Sequence, residues 1–543
     1  MLIHITGAKC IGIEAVPVTV EVDISAGIGI HLVGLADAAV KESLLRTMTA
    51  LQSVGFRIPG RRVVINLAPA DMHKQGSGYD LPIALGIIAA SGQADLPGLG
   101  HYLIMGELGL DGSIREVAGA LPMAELAERS GLRGCILPEE SAPEASECTG
   151  VPVFGVRTLT EVLRILSGSG GAGHRPAAGP ECPAEADGQD DRMDFSEIIG
   201  QETAKRGLEI AAAGGHNVIM LGPPGSGKSS LAKAVAGILP PMSREEALLT
   251  SKIFSVAGKG NGRQGLMRRR PFRAPHYSAS LAAVIGGGAG DNILPGEVSL
   301  ATNGILFLDE FTQMPRAVAE ALRGPLEDRR VTVSRLRAKV EYPASFMLVA
   351  AANPCPCGYY GEGDRCTCTP GRRQGYLSRL SGPIIDRIDI QLFLKSVDAG
   401  QLVGRDRGGP PRETSATVAA RVRAAREIQQ ERLRKDGISC NAEMSARHMN
   451  VHCPLSPDCR AVLEKLIDRT GLSARAFSRI VKLARTIADL ETAAALQGAG
   501  RLSSDPREPV FRGDGPVSAG PVQPRHLLEA AGYRFLDRQS LLP

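Results

Sequence analysis

The chain has 543 residues, too many for one core when domains run to roughly 100–200 residues, so two or three domains are expected. A net charge of only +4 with no Trp excludes a uniformly basic nucleic-acid binder and leaves little material for base stacking. Eleven cysteines over this length exclude a secreted disulfide scaffold, and no window approaches the ~18–20 uninterrupted apolar residues of a membrane span; the N-terminus also lacks a basic segment ahead of an apolar core, so a soluble, cytoplasmic protein with no membrane partner is expected.

In chain order, residues 1–166 mix short alternating strands (VTVEVDI, RVVINLA) with helix-like runs (LPIALGIIAASG, PMAELAERSG), the pattern of an α+β or α/β domain. Residues 167–192 are rich in Gly, Ala, Pro and charge, with almost nothing to bury, and read as a linker. Strand–loop–helix units then repeat until about Leu394 within a domain assigned to 193–400, predicting a parallel sheet covered by helices. The run GRDRGGPPR marks the next boundary, and 401–543 reads as helical, in VAARVRAAREIQQERLRK, DCRAVLEKLIDRTG and ARAFSRIVKLARTIADLE. A loose stretch from Leu496 to about Val522 interrupts it.

The apolar strand NVIML is followed by Gly222, Pro223, Pro224, Gly225, Ser226, Gly227, Lys228 and Ser229, then by a helical run. This is a Walker A loop in its strand-to-helix setting: backbone N–H groups wrap phosphate, Lys228 reaches the β- and γ-oxygens and Ser229 ligates Mg²⁺. ILFLDE, an apolar strand ending in two acids, supplies the other half. Asp309 is expected to hold the Mg²⁺ shell and Glu310 to polarise the attacking water, because phosphoryl transfer needs a metal and a positioned nucleophile more than covalent chemistry. Asn353, just past the strand FMLVAAA, stands where a sensor of the γ-phosphate belongs.

The segments DFSEIIGQETAKRGLEIAAAGGHNVIMLGPPGSGKS, RPFRAPHYSAS, GEVSLATNGILFLDE, AANPCPCG and LSGPIIDRIDI together resemble the magnesium-chelatase-like AAA+ proteins, and within them the ComM-type branch-migration helicases. The resemblance spans nearly the whole chain. It implies an α/β P-loop AAA+ core with a helical lid, and a homohexameric ring in which each ATP site is completed by a neighbour. Arg387 matches the arginine-finger position and Arg475 the sensor-2 position on the lid. MGELGLDGSIREVAGALPMAELAERSGLRGCILP and KQGSGYDLPIALGIIAA resemble the proteolytic domain of Lon. There the nucleophile position falls on Gly78 and its lysine partner on Pro122, so a catalytically inactive Lon-protease-like α+β domain is expected.

From Ala247 to Gly290 there is no acidic residue, while Lys252, Lys259, Arg263, Arg268, Arg269, Arg270 and Arg273 all fall inside. Such a run reads as a flexible loop that touches phosphate. Arg335, Arg337 and Lys339 in VTVSRLRAKVEYPA look like a β-hairpin, and the resemblance places both features toward the pore of the ring. Cys355, Cys357, Cys366 and Cys368 form C-x-C-x₈-C-x-C; four thiolates can close a zinc site, although the usual pair spacing is C-x₂₋₄-C. A metal-free thiol loop and redox disulfides are the alternatives. His448, His452, Cys453 and Cys459 are a looser set, read as structural.

The expected function is an ATP-dependent motor on branched DNA that promotes branch migration and heteroduplex extension in recombination during natural transformation. ATP and Mg²⁺ would be its cofactors, with Zn²⁺ as a third candidate, and DNA, its own copies and recombination proteins its partners. The alternative is a magnesium-chelatase-like or protein-remodelling AAA+ ATPase. An ATP-dependent protease is opposed by Gly78 and Pro122.

Overall fold

The computed structural model describes residues 2–35, 38–74, 76–168, 193–260, 265–288, 293–335, 339–396, 412–499, 501–502, 510–511 and 519–537. Most of the expected linker, the GRDRGG part of the second boundary, Arg263 and Arg337 lie outside the described residues.

The first 166 residues are built on a seven-stranded mixed sheet. Leu2–Ile11 and Glu14–Ser25 form a long antiparallel hairpin, in register from Leu2 opposite Asp23 to Ile11 opposite Glu14. Val18, Val20 and Val22 point into the core while Thr19, Glu21 and Asp23 do not, the period-2 pattern of a strand with one wet face. Arg62–Ala68 extends that sheet on one side. On the other, Tyr102–Ile104, Gly134–Pro138 and Val153–Val156 continue it in parallel. The helices Asp80–Ala90 and Ala120–Arg129 pack on it, and their apolar residues join one core running from Ile5 to Leu166.

The second sheet has five strands, all parallel, in the order Phe272–Arg273, Ile305–Leu308, Met347–Ala352, Val218–Leu221, Ile390–Phe393. Every residue of Val218–Leu221, Ile305–Leu308 and Met347–Ala352 is buried, as a parallel sheet covered on both faces requires. Because the strands run the same way, Gly222, Asp309 and Asn353 all emerge at one edge. That is where open α/β sheets place their ligands.

Helices Ser415–Leu433, Pro457–Thr470 and Ala474–Gly498 begin at Thr414, Ser456 and Ser473, whose hydroxyls accept backbone N–H groups and so satisfy donors left open in the first turn. Their apolar faces share a core with Val218, Met220 and Leu392 of the sheet. Asp389 is buried and takes Asn217 N–H at 3.0 Å and Arg479 as partners, with His216 Nδ1 3.6 Å away. Burial alone would raise its pKa, but Arg479 and His216 outweigh burial and hold the carboxyl well below its usual range. No helix among the described residues is long and apolar enough to cross a membrane.

Candidate active site

Gly225 and Gly227 adopt φ of +77° and +88°, left-handed backbone that costs glycine nothing. A Cβ on Gly222 would lie 2.8 Å from both Leu394 Cβ and Ser226 Oγ, so the loop closes over its strand only with glycine there. The helix Lys228–Ile238 starts at the end of this loop and directs its free N–H groups toward the place where phosphates would sit.

Lys228 Nζ donates to Gly222 O at 2.7 Å, Pro223 O at 2.9 Å and Asn353 Oδ1 at 3.2 Å. Burial lowers its pKa, against the attraction of Asp309 and Glu310. Ser229 Oγ donates to Asp309 Oδ2 at 3.0 Å, so two hard oxygens stand together and suit Mg²⁺, which accepts one or two protein oxygens besides phosphate and water. Glu310 follows with φ +48°, an uncommon conformation for a residue with a side chain, held by the turn into Phe311–Gln313. A cavity of about 450 Å³ is lined by Pro224–Ser230, Asp309, Glu310, Ala352 and Asn353. The three strand ends thus bring together the residues that the motifs single out.

Arg387 and Arg475 are elsewhere. Neither lines that cavity. Arg387 pairs with Glu327 and donates to Pro383 O at 2.6 Å, while Arg475 pairs with Asp386 at 3.5 Å and stays 62% exposed. Arg475 is thus paired with the residue that precedes Arg387 in the chain. Nothing local in the sequence pointed to the Asp386 partner of Arg475 or to the Asp389 partner of Arg479.

The four cysteine sulfurs lie within 4.8 Å of one another. Cys355 Sγ is 3.3 Å from Cys357 Sγ and 3.9 Å from Cys366 Sγ, and Cys357 to Cys366 is 3.7 Å. His448 and His452 instead face Asp436, and Cys459 Sγ lies against Val522 O at 3.4 Å.

The basic stretch departs from its expected form. Its first part is the end of the helix Arg244–Val256, not a loop, and its counter-charges come from distant segments. Lys252 meets Glu125 at 2.6 Å, Arg268 meets Glu147 at 3.1 Å, and Arg273 grips Glu297 through two bonds of 2.6 and 2.8 Å. Arg270 is inward: it binds both oxygens of Glu246 and donates to Asn303 O at 2.7 Å. Arg270 and Arg273 are thus committed to the fold and not offered to a DNA backbone. Arg270→Ala is expected to lower the denaturant midpoint by about 1–3 kcal/mol worth of stability, the usual cost of stranding buried acceptors; an unchanged urea midpoint would return Arg270 to the list of surface cations. Lys339 and Arg335, by contrast, are exposed at the end of the hairpin formed by Arg330–Ser334 and Lys339–Pro343.

In the first 166 residues, Gly78 lines a cavity of about 570 Å³ with Ser77, His73 and Met105, and Pro122 is buried in the helix Ala120–Arg129. Ser77 donates its hydroxyl to Glu107, not to a lysine.

The family model described as magnesium chelatase, subunit ChlI, matches residues 194–402; that for subunit ChlI of Mg-chelatase matches 20–141, and its C-terminal model 412–500. The chain is 41% identical over 538 residues to the uncharacterized protein YifB of Escherichia coli strain K12, covering 99% of this chain and 97% of that one. It is 42% identical over 529 residues to the competence protein ComM of Haemophilus influenzae, covering 97% and 96%. The archaeal Lon protease of Methanocaldococcus jannaschii matches over 159 residues at 26% identity, 29% of this chain and 24% of that protein. The chain therefore belongs to the ComM-type magnesium-chelatase-like AAA+ proteins, ATPases that use ATP and Mg²⁺.

Proposed function

We propose that the protein is a homohexameric, ATP-driven motor on branched DNA, cytoplasmic, and that it promotes branch migration and heteroduplex extension in natural transformation together with recombination proteins. The observation that carries this reading is the position of the hairpin Arg330–Pro343. It lies in the chain between Glu310 and the strand that ends at Asn353, and Ala344 N–H bonds back to Arg329 O at 2.9 Å to close its base. Val331, Val333, Val340 and Tyr342 root one face in the core, while Arg335 and Lys339 are exposed. A change at the γ-phosphate felt by Glu310 or Asn353 is passed to this hairpin over a short, packed path. Similarity to a protein named for competence supports DNA as its target.

In the proposed mechanism Lys228 and the loop N–H groups hold the phosphates. Bound Mg²⁺, held by Ser229 and Asp309, would neutralise their charge. Glu310 takes a proton from the water that attacks the γ-phosphorus, the bond to the β-γ bridging oxygen breaks, and ADP leaves. Asn353 orients the γ-phosphate, Arg387 acts on a neighbour's nucleotide as an arginine finger, and Arg475 serves as the sensor-2 arginine on the lid. Residues 1–166 are proposed as a Lon-type domain without its dyad, 167–192 as a linker, 193–400 as the ATPase core and 401–543 as the lid. Cys355, Cys357, Cys366 and Cys368 are proposed to hold one Zn²⁺.

Phosphate contacts are then left to Arg335, Arg337 and Lys339, with Arg268 and Arg269 at the edge. Arg335→Ala combined with Lys339→Ala should weaken binding to a model four-way junction and reduce the slope of log K against log salt by about 0.9 for each lost contact. The loss should be the same for every sequence, because such contacts position without specifying. An unchanged slope refutes the hairpin as the DNA contact. ATPase activity raised by unfolded protein or porphyrin and indifferent to junctions would favour the chelatase-like or remodelling alternative.

A further inference from the structure

We infer that the four-cysteine knot is a metal-dependent brace of the nucleotide pocket, so that zinc occupancy sets the affinity for ATP. This rests on the zinc reading above and adds what the metal does.

The sulfur geometry suits a tetrahedral ion. Four thiolates at the usual Zn–S distance of about 2.3 Å stand roughly 3.8 Å apart along each edge; Cys355, Cys357 and Cys366 are separated by 3.3, 3.7 and 3.9 Å, and all four sulfurs including Cys368 lie within 4.8 Å of one another. A disulfide would need about 2.05 Å. All four thiols are free, and a soft, all-sulfur set selects Zn²⁺ over Mg²⁺. Binding would release the thiol protons to solvent as the thiolates form.

The segment around the knot has no core of its own. From Tyr359 to Arg379 not one residue is fully buried, and in the helix Pro370–Leu377 Leu377 alone packs, half-buried, against a neighbouring hydrophobic core. Hydrophobic burial therefore holds it only at Leu377, and a cross-link among its sulfurs supplies what burial does not. Two stacked cations, Arg365 over Tyr359 and Arg373 over Tyr360, add only surface contacts.

Yet this weakly rooted segment touches each wall of the ATP pocket. Gly358, with φ +87°, lies so close to the phosphate loop that a Cβ there would sit 2.8 Å from Pro224 Cδ. Cys355 follows Asn353 by two residues, and Asn353 accepts from Lys228. Beyond the knot, Tyr376 accepts a 2.5 Å bond from Thr312, two residues after Glu310. Glu362 accepts from Ser396 N at 2.8 Å, and the adjoining Lys395 carbonyl accepts from Gln201, which also donates to Ser226 O in the phosphate loop. A metal closing the knot fixes Pro224, Asn353 and the turn after Glu310 relative to one another. Without it the competent arrangement is one among several, and the apparent affinity falls by the fraction of time it is populated.

The test uses full-length protein purified under reduction. Elemental analysis should find about one zinc per chain, and a fluorescent, non-hydrolysed ATP analogue titrated in excess Mg²⁺ should bind about tenfold more weakly once zinc is stripped, with recovery on adding zinc back. Cys366→Ser with Cys368→Ser, which alters no residue lining the pocket, should reproduce the stripped state. Gly358→Ala should keep its zinc and still bind the analogue weakly, because the added methyl meets Pro224; it also guards against a serine variant that fails to fold. Zinc-free protein that binds the analogue as tightly as the zinc form overturns the brace and leaves the zinc site standing. Reduced wild type that neither carries nor takes up zinc overturns both.

Discussion

Lys228→Ala is expected to lose nucleotide binding, whereas Glu310→Gln keeps it and hydrolyses about 10²–10⁴-fold more slowly, the usual worth of a positioned general base. The two residues share one cavity and do different things there. Lys228 is the group that meets phosphate: its ammonium already collects three acceptors at the mouth of the loop. Alanine leaves the carbonyls of Gly222 and Pro223 facing the phosphates with no cation between them. Each charge-assisted bond lost costs about 1.5–3 kcal/mol, and repulsion from the two carbonyls adds to it. Glu310, in the proposed mechanism, acts on the attacking water and not on phosphate. Its left-handed backbone is set by the turn after Ile305–Leu308, so glutamine at that position keeps the shape and loses only the ability to accept a proton. Equilibrium binding of a nucleotide analogue and steady-state phosphate release separate the two effects. Normal turnover in Glu310→Gln would place the base on another residue.

What could be read in the sequence follows from how local the causes are. Gly222–Ser229, Asp309–Glu310 and Asn353 were legible because each sits at the end of a short apolar strand, and a parallel sheet must bring such ends to one edge. The C-terminal helices Ser415–Leu433, Pro457–Thr470 and Ala474–Gly498 were legible from the helical pattern of their sequence. Charge pairing was not. The stretch holding Arg268, Arg270 and Arg273 carries no acid of its own, yet Glu147, Glu246 and Glu297 reach it from three other segments. Nothing periodic announces Glu147, 121 residues from Arg268, or the two partners that stand 24 residues from Arg270 and Arg273. Four clustered cysteines pointed to a metal against their unusual C-x-C spacing, but only the packing of Gly358 on Pro224 reveals that the knot leans on the phosphate loop.

Arg387→Ala is expected to lower the ATPase rate by roughly 10³–10⁵, the worth of a guanidinium on the charge that develops at the γ-phosphate, and to act on the neighbouring subunit's site. The structure supplies the reason for assigning it in trans. Arg387 does not line the cavity bounded by Lys228 and Glu310, and its guanidinium rests on Glu327 and the Pro383 carbonyl. Arg475 pairs with Asp386, the residue before Arg387 in the chain. An arginine that does not line its own nucleotide cavity gains a catalytic role on ATP only when another copy brings its pocket to it. Glu327 is then a placeholder that the neighbour's phosphate displaces. Two single variants make the test. Lys228→Ala spoils its own pocket, and Arg387→Ala spoils the next one. Mixed in one ring, they should regain part of the ATPase rate, because some interfaces pair an intact pocket with an intact arginine. Mixed rings that assemble and stay as inactive as either variant alone refute the trans assignment. So does full activity at a dilution where only monomer is present.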